Sequence, residues 1–293
     1  MLTYNQPLFR PPSEARSLIF QITIGCSRNL CTFCGMYKGK QFRVRPLAEI
    51  FADIDTIPAS LRPYVDRIFL ADGDALVYPF AELVEILDRL ARTFPKITRI
   101  GAYASPGSLA GKSPEELGIL REKRLRIFYF GLESGDDATL AAIGKGFSAA
   151  EMEREALKAR GAGIKLSVTA ILGLAGRDRS IEHARATAAW VNRVNPEYFS
   201  LLTLFSRHND DFIRTLSQCS RREILAEARE LVATLNPQKT ILRSNHVSNF
   251  LDLTGSLPKD RERLVADVDI AIACARSIPG YLEEVPVYAE EYY

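Results

Sequence analysis

No apolar run in the sequence approaches the ~20 residues needed to cross a bilayer, so no membrane span is expected. The opening residues, MLTYNQPLFRPPSEAR, lack a continuous apolar stretch behind a basic start and do not read as a secretory signal. Neither sign of charge dominates. With 38 basic against 36 acidic residues, the net charge of +2 argues against bulk nucleic-acid binding and leaves only a local basic patch as a basis for it. There is no internal repeat, low-complexity tract or flexible linker. Cysteine is scarce, five in 293 residues, which excludes a disulfide-stapled miniprotein. The scarcity is uneven: Cys26, Cys31 and Cys34 crowd together, while Cys219 and Cys274 stand alone.

What is present fits a cytoplasmic globular protein with enough chain for one large core. Hydrophobic residues make up 47% and charged residues 25%, which excludes a disordered or collagen-like chain. Short β-rich runs alternate with helical patterns. Strands are expected at 17–24, 67–71, 97–103, 126–131, 164–172 and 198–204. Between them, Leu83, Val84, Ile86, Leu87 and Leu90 form a helical apolar face. Ser113 and Ser148, each with a glutamate three residues on, mark helix starts. Six such units of roughly 30 residues imply right-handed crossovers and a parallel sheet. They are too few for a closed eight-unit barrel. The expected fold is α/β: a partial (β/α)6 TIM-like barrel over 1–205, with a short α-rich C-terminal extension over 206–293 packed on it. In the extension we expect helices at 222–235 and 259–276, a strand-like run at 240–243, and an irregular polar stretch over 244–258. The acidic, aromatic end, VPVYAEEYY, reads equally as a docked or a loose tail.

Cys26-Ser27-Arg28-Asn29-Leu30-Cys31-Thr32-Phe33-Cys34 places three thiols within nine residues, directly after the first strand. A structural zinc site usually takes four ligands, and no second CxxC or HxxxH pair exists here. A thioredoxin-like reading uses Cys31 and Cys34 and leaves Cys26 unexplained. An iron–sulfur cluster on three thiolates keeps one iron open for a ligand, and three thiols without a nearby fourth fit that design best.

These residues resemble the radical S-adenosylmethionine (radical SAM) superfamily, in particular the branch of coproporphyrinogen dehydrogenases and methylthiotransferases. That family usually has C-x3-C-x2-C after strand one, with an aromatic residue before the last cysteine. Here the spacing is C-x4-C-x2-C, with Phe33 at the aromatic position. Asp72-Gly73-Asp74 stands after strand two, where the family carries a turn whose backbone meets the methionyl amino group. Gly131-Leu132-Glu133-Ser134-Gly135 looks like the family's GxES turn, and Gly173 and Gly176 look like its adenine-side glycine motif. The resemblance covers about residues 17–205.

It implies that Cys26, Cys31 and Cys34 hold a [4Fe–4S] cluster. Asp72, Gly73, Asp74, Ser105, Glu133, Ser134, Gly173 and Gly176 would lie along S-adenosyl-L-methionine. One electron from the reduced cluster would then cleave the C5′–S bond to methionine and a 5′-deoxyadenosyl radical, which removes a hydrogen from substrate. An electron donor such as flavodoxin or ferredoxin is implied. With no appended RNA-binding or cobalamin-binding segment in the sequence, a small-molecule substrate is favoured over a peptide or nucleoside. Asn245 and His246, in the polar run 243–249, are candidates for substrate contact. The alternative from another class is a non-enzymatic zinc-binding interaction module. Lys145 is expected to be exposed, Cys219 and Cys274 to be buried packing residues, and His183 and His208 to lie on the surface.

Overall fold

The computed structural model describes residues 2–205 and 208–286, so 287–293 of the VPVYAEEYY tail lie outside the described residues. The chain divides into two compact units. The first takes residues up to Asn29, Met36–Phe130 and Arg154–Leu166. The second takes Leu30–Gly35, Gly131–Glu153 and everything from Ser167 on.

In the first unit, β1 (Leu18–Gln21), β2 (Arg67–Ala71), β3 (Arg99–Tyr103) and the leading part of β4 (Leu125–Glu133) pair in that order, all parallel. Phe20, Ile68, Phe69, Leu70 and Ile100 are fully buried, as expected of apolar runs in a parallel sheet. Helix Phe80–Thr93 buries Leu83, Ile86, Leu87 and Leu90, the stripe anticipated from the sequence. Each such leucine contributes about 1.5–3 kcal/mol by leaving water. The Ser113–Glu116 capping box opens helix Pro114–Glu122, the kind of cap that stabilises by roughly 1 kcal/mol.

The second unit continues with β5 (Lys165–Leu172), β6 (Tyr198–Thr203) and β7 (Thr240–Arg243) in parallel, and β8 (Thr254–Leu257) antiparallel to β7. Helices Ser180–Val194 and Arg221–Thr234 pack together here. The core centres on Trp190, Phe199, Leu231 and Leu242, with the Trp190 indole donating to the Ala149 carbonyl at 3.0 Å.

The α/β class and, within each unit, the run of parallel strands follow the reading of the sequence. Two details differ. The run at 17–24 breaks after Gln21, and Thr23–Ile24 pairs instead with Arg43–Val44 in a two-stranded antiparallel ribbon. Thr254–Leu257 is a strand within the stretch expected to be irregular. Its sequence, TGSL, has no apolar alternation, and pairing with Thr240–Arg243 is what makes it extended.

Candidate functional site

Cys26 follows β1 and the short ribbon, in a loop bound to the turn after β2. Gly25 sits at φ +75°, and its amide donates to Asp72 Oδ2 at 2.7 Å. The Asp72 carboxylate also accepts from Gln21 Nε2 at 3.1 Å and from the buried Lys40 ammonium at 3.0 Å. The Gly73 amide returns the contact to the Gly25 carbonyl at 3.0 Å. A Cβ on Gly73 would stand 2.8 Å from Cys26 Cβ and 2.9 Å from Tyr37 Cε2, so only glycine lets this turn approach the cysteine loop. Asp74 accepts from Ser27 Oγ at 2.6 Å and from the Oγ and amide of Ser105 at 2.6 and 3.2 Å. Asp72 and Asp74 are fully buried, and their carboxylates tie together the ends of β1, β2 and β3. Ser105 also caps helix Pro106–Ala110.

In the second unit, Cys31 and Cys34 lie on a short loop closed by the Cys34 amide donating to the Cys31 carbonyl at 3.3 Å. The Thr32 amide donates to the Ile143 carbonyl at 2.9 Å, and Asn209 Nδ2 donates to the Phe33 carbonyl at 2.6 Å. The segment that receives Thr32 carries Lys145, which is buried against expectation because its ammonium pairs with Glu133 at 3.0 Å. Burial pulls the Lys145 pKa down, but Glu133, Cys31 and Cys34 outweigh it and the pKa rises. A protonated lysine therefore faces both thiols of this loop.

Glu133 adopts φ +64°, and its carboxylate folds back over Gly131, where a Cβ would lie 2.1 Å from Oε1. Ser134 is fully buried, with its hydroxyl 2.7 Å from His183 Nδ1. Gly135 presses against the Ala186 carbonyl, at 2.4 Å from an added Cβ, and donates its amide to Thr187 Oγ1 at 2.9 Å. After β5, Gly173 and Gly176 take φ +76° and +66°. The Gly173 amide donates to Glu227 Oε1 at 2.9 Å, and a Cβ on Gly176 would meet the Ser217 carbonyl at 2.9 Å. Gly173, Phe205 and Ile224 help line an apolar cleft of about 260 Å³ that also takes in Cys219.

In the 244–249 run, Asn245 is exposed, whereas His246 bonds Ser248 at 2.8 Å and stacks on Phe205. Ser248 and Asn249 anchor that run to β6, through the Thr203 amide at 3.1 Å and the Leu201 carbonyl at 2.8 Å. Two further expectations are overturned. His183 is fully buried rather than superficial, since the Ser134 hydroxyl gives its ring a partner inside. Cys274 is exposed near the end of helix Arg261–Ala275, which turns Leu264 and Val268 inward. Cys219 is buried as expected, and burial pushes its thiol up to about 12. His208 is exposed. Sequence reasoning missed Lys40 and Glu227, and it placed Lys145 in water. For Lys145, a glycine on either side was the available signal that its backbone follows a tight path.

None of the five cysteines is in a disulfide. Cys26 belongs to the first unit and the other two of the trio to the second, and among the described residues no group of three His, Cys, Asp or Glu is gathered for a metal ion. The donor chemistry nevertheless suits an iron–sulfur group: three thiols, a lysine beside two of them, and a turn that closes on the third only because Gly73 lacks a side chain.

A family model described as the radical SAM superfamily matches residues 20–190. The heme chaperone HemW of Bacillus subtilis (strain 168) is 24% identical over 151 residues, which are 51% of this chain and 40% of that protein. Coproporphyrinogen III oxidase (HemN) of Escherichia coli, described as a radical SAM enzyme, superposes with a TM-score of 0.56 at 16% identity, covering 74% of this chain and 51% of that one. The radical S-adenosylmethionine methyltransferase TsrM of Kitasatospora setae, with cobalamin and a [4Fe–4S] cluster bound, gives 0.51 at 18% identity, covering 64% and 36%. At these identities the likeness of the structures establishes the fold. The chain spans 36% to 51% of the length of these proteins. No helix among the described residues is long and apolar enough to cross a membrane.

Proposed function

The chain belongs to the radical SAM superfamily, and on that premise we propose that it is an enzyme that cleaves S-adenosylmethionine reductively and directs the resulting radical at a small molecule. Cys26, Cys31 and Cys34 would hold a [4Fe–4S] cluster. When bound, that cluster supplies the electron that breaks the C5′–S bond and an open iron for the methionyl amino and carboxylate groups. Everything else is the work of this chain's own residues.

The buried Asp72 and Asp74 carboxylates are occupied by protein donors, so their part is to hold the cysteine loop and leave the turn backbone to the methionyl end. Ser105 shares in that hold. The Glu133 carboxylate would accept hydroxyls of the ribose, with Lys145 keeping it aimed. Ser134, Gly173 and Gly176 would shape the adenosyl side. His246, on Phe205, and the exposed Asn245 would meet substrate, and a ferredoxin- or flavodoxin-like donor would supply electrons in the cytoplasm. We assign residues 1–205 to the barrel and 206–293 to an extension packed on it.

The observation that carries this reading is three thiols within nine residues, Cys26 beside the Gly73 turn in the first unit and Cys31 and Cys34 beside the Lys145 segment in the second. Anaerobic reconstitution tests it. The expected product is a brown protein that binds iron and sulfide and releases 5′-deoxyadenosine from S-adenosylmethionine on reduction. Replacing Cys26, Cys31 and Cys34 together by Ala should abolish colour and product, whereas replacing Cys219 and Cys274 should leave both. Stoichiometric zinc, with no iron and no 5′-deoxyadenosine, would favour the interaction module instead.

A further inference from the structure

Helix Arg221–Thr234 lies beyond the matched residues 20–190, yet it places a carboxylate in the second unit's core, at the turn after β5. Glu227 is fully buried, and both of its oxygens are used. Oε1 accepts the Gly173 amide at 2.9 Å, and Oε2 accepts the Ser180 hydroxyl at 2.5 Å. His183 Nε2 stands 3.5 Å from Oε1 without completing a hydrogen bond, while Nδ1 of the same ring meets Ser134 Oγ at 2.7 Å. That hydroxyl in turn accepts the Asp136 amide at 3.0 Å. The polar groups therefore line up from the turn after β4 to the turn after β5, hydrogen-bonded at each end, with the His183 ring packed against Glu227 at 3.5 Å between them.

Such a row is an expensive way to fill a core. A buried carboxylate facing a neutral imidazole has no full charge opposite it, and an apolar pair of equal volume is often as stable or more so. Burial accordingly pushes Glu227 up to about 7 and His183 down to about 4. What the row supplies is geometry. Gly173 sits at positive φ, where its amide direction is set by whatever accepts from it, and the only acceptor given to it among the described residues is Glu227.

We propose that Glu227 is a positioning residue for the adenosyl group of S-adenosylmethionine, holding the Gly173 turn directly and the Ser134 turn through His183, so that the two turns keep one mutual geometry. This rests on the proposed function, in which those turns flank the cofactor. It makes the C-terminal extension a contributor to the cofactor site.

The test uses the full chain, reconstituted anaerobically, and three substitutions: E227L, E227Q and H183Q. E227L removes the acceptor, and at pH 8, above the raised Glu227 pKa, the dissociation constant for S-adenosylmethionine should rise roughly tenfold, as for loss of one hydrogen bond to a charged acceptor. Iron content should stay unchanged, and KM should move more than kcat. E227Q keeps an oxygen for the Gly173 amide and should restore affinity to within about threefold, the cost of a neutral in place of a charged acceptor. Should E227L fail to fold, H183Q carries the test, because it cuts the link at Ser134 while leaving Gly173 held. An unchanged dissociation constant in a folded E227L or in H183Q, or equal losses in E227L and E227Q, overturns the proposal. Amide exchange over residues 170–176 in the metal-free protein, wild type against E227L, separates the two levels. Faster exchange in E227L alongside a wild type that does not bind S-adenosylmethionine would sink the proposed function and leave the tie standing. Unchanged exchange would sink the tie itself.

Discussion

In the first unit, Asp72 is buried with a lysine, a glutamine amide and a backbone amide around its carboxylate. In the second, Glu227 is buried beside a neutral histidine whose Nε2 stands 3.5 Å from its carboxylate. Both are carboxylates in a dry core, and both fix a glycine-containing turn at the end of a strand. The first is electrically closed, as a strut should be. The second is left with a mismatch that shifts two pKa values in opposite directions, the pattern expected where a protein gives up stability for placement. The Glu133–Lys145 pair is intermediate: it is charged, nearly closed, and still 14% and 11% exposed at its side chains.

The comparison breaks most sharply at Asp72. Replacing it by Asn leaves the Lys40 ammonium buried without its counter-charge, and denaturant unfolding should show a loss of about 3–5 kcal/mol. A loss below ~1 kcal/mol, typical of a surface pair, would mean that the ion pair is not a strut. Lys145→Met should cost less stability, roughly 1 kcal/mol, because both partners retain some contact with water. Its larger consequence should appear in the reconstituted protein. Removing a positive charge that faces Cys31 and Cys34 should lower the reduction potential of the bound cluster in spectroelectrochemical titration, and an unchanged or higher potential would contradict the placement of that charge.

A last effect concerns pH and sharpens the comparison from the other side. Glu227 has its pKa raised from 4.5 to about 7 on folding, so the folded chain binds the extra proton and stability falls as pH climbs between those values. His183 is lowered from 6.5 to about 4, so the unfolded chain binds the proton and stability rises over that interval. In the wild type the two slopes oppose each other from 4.5 to 6.5. E227Q removes the falling one, and its melting temperature should therefore climb more steeply with pH from about 4.5 to 6.5. Parallel curves for the two proteins would show that Glu227 and His183 do not titrate as assigned.

Much of the molecule was legible because the relevant physics is local. Apolar runs such as RIFLA read as buried strands, serine-led capping boxes marked helix starts, and three thiols within nine residues have no packing rationale. The misreadings share one cause. Lys145 and His183 were assigned to water on the ordinary habits of their residue types, but each has a partner that brings it inside. Cys274 was assigned to the interior on the same reasoning and lies outside, because its helix buries a different face.

The sequence by itself determined the strand–helix alternation, the cysteine loop and the glycine turns, since propensity, capping and turn chemistry act within a few residues of one another. Only the tertiary structure decided which charges are buried, and so which side chains hold those turns. Asp72 meets Lys40 across 32 residues, and Gly173 meets Glu227 across 54. A charge tolerates a dry core only where a partner waits for it, and no local pattern records a partner that far along the chain.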